Sequence, residues 1–251
     1  MKNKIGWCDM TWNPVWGCLN NCEYCYARKI NKRFWAKMIE TESDYHHKIH
    51  QDWVMTGNQL RNLHDFSPTW FESQFNKKFP KKPQRIFVGS MSEIAHWEQR
   101  WMEVVLGRIL CHPEHIFQFL TRYPEIYSKY DFPKNCWLGV TITEEGLMAK
   151  YETNWEHYFS DDRQSFFSFE PLLENINPYI LRFTNKKTWV IVGAETGNRK
   201  GKVIPKNYWV EAIVSYCRDN CIPLYLKDNL KEIYPIEIKE FPYLKEVRTN
   251  V

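Results

Sequence analysis

No stretch of the 251-residue sequence comes near the ~18 consecutive apolar residues that a membrane-spanning helix needs. The opening Met1-Lys2-Asn3-Lys4 runs into a short mixed segment, not into the apolar core of a secretory signal. Both absences set a cytoplasmic expectation with no membrane partner. There is no low-complexity tract and no exact internal repeat, so a repeat array is excluded and a single domain is expected. Charge of one sign is lacking as well: 34 Lys and Arg stand against 30 Asp and Glu, a net +4 spread along the chain. Short basic groups such as Lys77-Lys78 with Lys81-Lys82, and Arg199-Lys200-Gly201-Lys202, read first as solvated faces. Such a charge permits a nucleic-acid partner without demanding one.

What the chain has in quantity is aromatic surface and cysteine. Twelve Trp, 14 Tyr and 15 Phe sit within an apolar fraction of 43%. Rings of this size mostly fill cores, leaving some to line a pocket for a planar ligand. Eight cysteines in a chain expected in the cytoplasm do not read as a disulfide framework. Clustered cysteines there more often hold metal or perform chemistry.

Short β-rich runs recur at 85–89, 116–120, 137–141, 165–169 and 189–193, with a weaker one at 222–226 and a first one at 11–17. Ala27, Ile30, Phe34, Met38 and Ile39 have helical spacing over 27–40, as do Val104, Val105, Ile109 and Leu110 over 99–111; helices are also expected over 144–154 and 207–218. Strands alternating with helices predict an α/β fold with mostly parallel strands: a partial or full (β/α) barrel, with an open doubly wound sheet as the alternative. Residues 41–82 break the rhythm. They hold His46, His47, His50 and His64 and turn signals at Thr56-Gly57-Asn58 and Ser67-Pro68, and read as an insertion after the first helix, a candidate lid. Within it, 77–83 reads as a linker into the second strand. The core is expected over about 5–230, with a charged peripheral tail over about 234–251 that contains Pro235 and Pro242.

The segment GCLNNCEYCYA places Cys18, Cys22 and Cys25 within eight positions, a density that three unrelated buried thiols do not explain. Two metal readings remain open on the residues alone. Structural zinc wants four closed ligands; Cys8 is the nearest fourth, at an unfamiliar spacing. A [4Fe–4S] cluster normally takes four thiolates, and three would leave one iron open to a substrate or cofactor.

Cys-x3-Cys-x2-Cys with Tyr24 just before the last cysteine resembles the cluster loop of radical S-adenosylmethionine enzymes. TWNPVWGCLNNCEYCYARKI, RIFVGSMSEI, FQFLTRYPE, WLGVTIT, FFSFEPLLE, WVIVGAETG and IPLYLKDNL occur in that order, from about Ile5 to Leu230. Together they resemble a radical-SAM-like family of phage and prokaryotic proteins labelled as phage-derived and of unknown function. The resemblance implies a partial or full barrel whose cluster loop follows the first strand. It implies an open iron chelated by S-adenosylmethionine, and a 5′-deoxyadenosyl radical formed by reductive cleavage. It also implies an external electron donor such as flavodoxin or ferredoxin. It implies no known substrate; a nucleic acid or nucleoside is one class. A zinc-stabilised binding module and a non-catalytic iron–sulfur partner protein are the alternatives.

Ligand groups of parallel barrels sit at the C-terminal strand ends. The metal candidates are Cys18, Cys22 and Cys25. The resemblance puts Tyr24 near the adenine and Ser90, Ser92 and Glu93 near the cofactor's amino group. Thr121 with Arg122, and Thr141 with Thr143, follow the third and fourth strands; Thr suits a ribose and Arg a carboxylate. Glu170 and Glu195 end the fifth and sixth strands, where a carboxylate is costly unless paired. Lys227 and Asn229 follow the last strand. Cys217-x3-Cys221 is a looser pair, more often two helix-end thiols than a second cluster site. The histidines of the insertion read more readily as surface or core groups than as ligands.

Overall fold

Parallel strands buried on both faces read as unbroken apolar runs, and the chain obeys this closely. A computed structural model describes residues 5–49, 55–146, 163–183 and 188–242. Among the described residues nine strands and five α-helices follow in chain order: β1 (Met10–Trp12), β2 (Val15–Trp16), α1 (Tyr26–His47), α2 (Gly57–His64), β3 (Thr69–Trp70), α3 (Glu72–Phe75), β4 (Arg85–Val88), α4 (Gln99–Leu110), β5 (Ile116–Thr121), β6 (Cys136–Thr141), β7 (Ser165–Phe169), β8 (Thr188–Val192), α5 (Asn207–Asp219) and β9 (Leu224–Leu226). The main sheet runs β1-β4-β5-β6-β7-β8-β9. Its β1·β4, β4·β5, β7·β8 and β8·β9 pairs are parallel. Strands that neighbour one another in chain order give the topology of a partial α/β barrel; a doubly wound sheet would reverse its order part-way. Among the described residues no helix is long and apolar enough to cross a membrane.

The chain divides into two compact units, 1–138 and 139–251. In the first, Asp9 pins the start of the β1–β4 ladder. Its Oδ2 accepts from the Arg85 backbone N–H at 2.8 Å and from Nε at 3.1 Å, and its Oδ1 from Nη2 at 2.8 Å. The expected strand over 11–17 is split. Pro14 lacks an N–H for a ladder, so β1 stops at Trp12. β2 resumes as a separate strand, antiparallel to β3 in the register Val15↔Trp70.

The expected insertion over 41–82 therefore contributes a strand. The first helix also runs past the predicted end at 40, because the polar stretch there buries a working pair. Glu42 is 2% exposed; its oxygens accept the N–H groups of Glu72 (2.7 Å) and Ser73 (3.1 Å), the free donors that open α3. His46 Nε2 lies 3.1 Å from the same carboxylate. Met38, Met55, Leu63 and Phe71 form a core cluster where α1 meets α2 and α3. His46 is thus a core group, and His64 pairs with Asp65 at 2.9 Å. His50, most of the helix predicted over 144–154 and the second half of the tail lie outside the described residues.

In the second unit all five residues of β7 and of β8 are buried. Gly139 in β6 fits under the Phe166 ring, where a Cβ would lie 2.3 Å from a ring carbon. Trp189, fully buried, donates its indole N–H to the Glu240 carbonyl at 3.0 Å.

Candidate metal centre

The three cysteines lie on the loop that joins β2 to α1, in the first unit. The loop opens at Gly17, whose φ of +108° favours glycine; a Cβ there would stand 2.1 Å from the Ser67 carbonyl oxygen. Gly17 donates its N–H to the Met91 carbonyl (3.0 Å), and Cys18 to the Phe66 carbonyl (2.8 Å). Arg28 closes the loop from the first turn of α1. Its Nη2 donates to the carbonyls of Cys18 (3.3 Å) and Asn20 (3.2 Å) and its Nη1 to that of Asp65 (3.2 Å), while the guanidinium sits 5.0 Å from the Phe66 ring centre.

Each of the three sulfurs receives an N–H. The Asn20 amide points at Cys18 Sγ (3.3 Å), Arg122 Nη1 at Cys22 Sγ (3.5 Å) and the Arg28 amide at Cys25 Sγ (3.3 Å). Cys25 is thereby the N-cap of α1. Cys111 does the opposite and donates to the Gly107 carbonyl at 3.6 Å, as a neutral thiol does. Burial pushes the Cys18 thiol up to about 12 and raises that of Cys25. A thiol held protonated by desolvation becomes a ligand only when a cation offsets that cost, and a coordinating thiol is deprotonated outright. Three thiols on one loop are donors of the kind a [4Fe–4S] cluster takes. Among the described residues these cysteines do not form a set with all sulfurs within 4.8 Å of one another. Cys8, the proposed fourth zinc ligand, is buried ahead of β1 and joins no such set.

Several predicted cofactor residues gather around the loop. Glu93, 5% exposed, follows β4 and ties it to the end of β5: Oε1 accepts from the Ala95 N–H (3.2 Å) and the Thr121 hydroxyl, and Oε2 from the Arg122 N–H (3.0 Å). Burial raises its carboxyl pKa against the pull of these donors. Arg122 also hydrogen-bonds the Tyr24 hydroxyl. Ser90 donates to Asn13 Oδ1 (3.0 Å), and Ser92 Oγ accepts the Trp97 indole N–H (3.0 Å). Two residues had no place in the sequence reading. His96 accepts the Leu19 N–H through Nδ1 at 3.2 Å and lies 3.8 Å from Cys18 Sγ. Tyr123 donates to Asn20 Oδ1 at 2.6 Å. Their only signal was adjacency: His96 stands three residues past Glu93, and Tyr123 one past Arg122.

Thr141, Glu170 and Glu195 belong to the second unit. Thr141 ends β6, half-buried. Glu170 follows β7 and pairs with Lys227, just past β9. A Cβ on Gly193 would lie 2.9 Å from Lys227 Cδ and 3.0 Å from Glu170 Cδ, so the glycine makes room for the pair. Glu195, 2% exposed, is held bidentately by Arg199, with both N–H···O distances 2.9 Å. Asn229 clamps Ala194, accepting its N–H at 3.1 Å and donating to its carbonyl at 2.7 Å.

A protein-family profile described as "Protein of unknown function (DUF5131)" matches residues 2–233. The chain belongs to the DUF5131 family. Neither the curated proteins nor the solved structures contain a match to this DUF5131 chain. The matched span includes the cysteine loop and every candidate residue described above.

Proposed function

We propose that the chain is a radical S-adenosylmethionine enzyme whose [4Fe–4S] cluster is held by Cys18, Cys22 and Cys25. The observation that carries the reading is the set of three sulfurs on one loop, each receiving an N–H. Such a cluster, when bound, supplies an open iron that chelates S-adenosylmethionine and the electron that cleaves it to methionine and a hydrogen-abstracting 5′-deoxyadenosyl radical. The chain's own residues do the rest. The three N–H groups withdraw charge from sulfur and so tune the potential. Arg28 fixes the loop backbone, and Gly17 lets it approach the 66–67 segment. Arg122, set between Cys22 and Tyr24, presents a guanidinium suited to the cofactor's carboxylate. Tyr24 offers a ring to the adenine. Glu93 positions Thr121 and Arg122. Ser90 and Ser92, bonded within the chain, shape the turn after β4.

The electron comes from a small carrier such as flavodoxin or ferredoxin. In the second unit Thr141 and the Glu170–Lys227 pair are the groups to test against substrate. A nucleic acid or nucleoside is the first substrate class to screen, on the mild positive charge alone. The test is anaerobic reconstitution: about four irons and four sulfides per chain are expected, with 5′-deoxyadenosine formed on adding S-adenosylmethionine and reductant. Stoichiometric zinc without iron in carefully anaerobic protein would sink the reading.

A further inference from the structure

The charges of α1 run against its dipole. A helix N-terminus favours anions and disfavours cations, yet residues 26–37 carry Arg28, Lys29, Lys32, Arg33 and Lys37 and no carboxylate; the acids Glu40, Glu42 and Asp44 come afterwards. Arg28 is used up in closing the cysteine loop. The other four are exposed. Among the described residues Lys29, Lys32 and Arg33 form no ion pair, and Lys37 meets only Glu40, at 3.1 Å on the surface. At 100° per residue the four cations fall within about 140° of the helix circumference around Tyr26, which is 43% exposed and whose hydroxyl donates to the Ser90 carbonyl, while Phe34, 51% exposed, lies beyond the edge of that arc. The face carries positive charge around the Tyr26 ring, with the Phe34 ring at its flank. It starts at the cysteine ligand itself, since Cys25 caps the helix. At about 1.5 Å per residue, Lys29 lies ~6 Å and Arg33 ~12 Å along the axis from that cap.

Resting on the cluster reading above, we propose that this face of α1 is the docking surface for an acidic one-electron carrier protein. The occupant follows from charge complementarity and position. A basic rim steers an anionic partner and sets the salt dependence of the encounter, exposed aromatic side chains are what protein interfaces favour, and a helix that begins on a cluster ligand brings the partner within electron-transfer reach. The carrier is oxidised by one electron and the bound cluster is reduced by one. No proton or atom is exchanged.

The test uses the reconstituted full-length chain, a purified acidic flavodoxin, and the charge-reversal variant Lys29→Glu/Lys32→Glu/Arg33→Glu, with Phe34→Ala as a gentler second variant. Binding of oxidised flavodoxin is measured by calorimetry at two salt concentrations. Cluster reduction is followed by stopped-flow absorbance with reduced flavodoxin and separately with dithionite. The wild type should bind, more weakly at higher salt. Charge reversal should cut both affinity and flavodoxin-driven reduction by at least about tenfold, leaving dithionite reduction within about twofold; Phe34→Ala should lower affinity with iron content unchanged. An iron-loaded variant reduced by flavodoxin as fast as the wild type overturns the docking surface and leaves the cluster reading standing. A charge reversal that abolishes binding of a labelled single-stranded RNA while flavodoxin reduction is unchanged overturns it in favour of nucleic acid. Protein that takes up no iron overturns the cluster reading, and this proposal with it.

Discussion

The two units treat their polar strand-end groups in opposite ways. In the second, the acids are neutralised from within: Glu195 by Arg199 and Glu170 by Lys227. In the first, Glu93 is consumed in tying β4 to β5, and the sulfurs it helps surround receive N–H groups from the loop, the helix and Arg122. A pair that closes on itself stabilises the fold. Donors converging on three thiols in one loop stabilise charge that the chain alone does not hold there. The difference separates carboxylates paired with a neighbouring cation from thiols that receive N–H groups.

The sharpest way to break this comparison is to remove sulfur from each unit in turn. Cys18→Ala, Cys22→Ala and Cys25→Ala should each lower iron uptake and 5′-deoxyadenosine formation by about two orders of magnitude, read by iron analysis and chromatography. Cys217→Ala in the second unit, where the thiol is buried in α5, should keep the full iron content. Equal iron loss from both would erase the distinction.

Adding a single methyl group gives the next largest contrast. At Gly17 it meets fixed backbone 2.1 Å away and a φ of +108°, so Gly17→Ala should cost about 3 kcal/mol or more. At Gly193 the nearest atoms, at 2.9 and 3.0 Å, belong to the flexible Lys227 and Glu170 side chains, so Gly193→Ala should cost about 1 kcal/mol. Urea unfolding of both variants decides the order.

The Asp9–Arg85 pin offers a smaller, pH-dependent effect. Hydrogen bonding to Arg85 lowers the Asp9 pKa below its ordinary 3.8. Its contribution is therefore present above pH 3.8 and lost as pH falls through the depressed folded value. Asp9 is about one-third exposed, so Asp9→Asn should cost no more than ~1 kcal/mol near neutrality. The gap between variant and wild type should close under acid; a gap that widened there would refute the assignment. Smallest of all, Cys221 follows α5 at φ 53°, the left-handed conformation that closes many helices. Cys221→Gly should raise stability by about 0.5–1 kcal/mol in thermal melts.

The sheet strands after the first were legible because burial on both faces leaves long apolar runs: the run expected at 165–169 is β7 residue for residue, those at 85–89, 116–120 and 137–141 differ from β4, β5 and β6 by one residue at an end, and that at 189–193 is shifted by one residue from β8. What stayed hidden depends on partners distant in sequence. Glu42 and His46 look like a solvated polar stretch until Glu72 and Ser73, 30 residues on, supply their donors. β2 is two residues long and exists through its pairing with β3. At the site, the cysteines announce themselves by spacing. The roles of Arg28, His96 and Tyr123 do not, because each acts on backbone or side-chain atoms of a loop that pattern cannot place. Glu195 was chosen for the cost of a buried carboxylate, and the carboxylate is buried; its partner, four residues on, was in plain view in the sequence.

By holding the backbone carbonyls of Cys18, Asn20 and Asp65, the Arg28 guanidinium ties the cysteine loop to the end of α2 through protein contacts alone. Loading of the proposed cluster would then be an insertion into a formed loop and not a coupled folding event. If the proposed cluster is lost to oxygen, the chain should stay folded and take up iron and sulfide again.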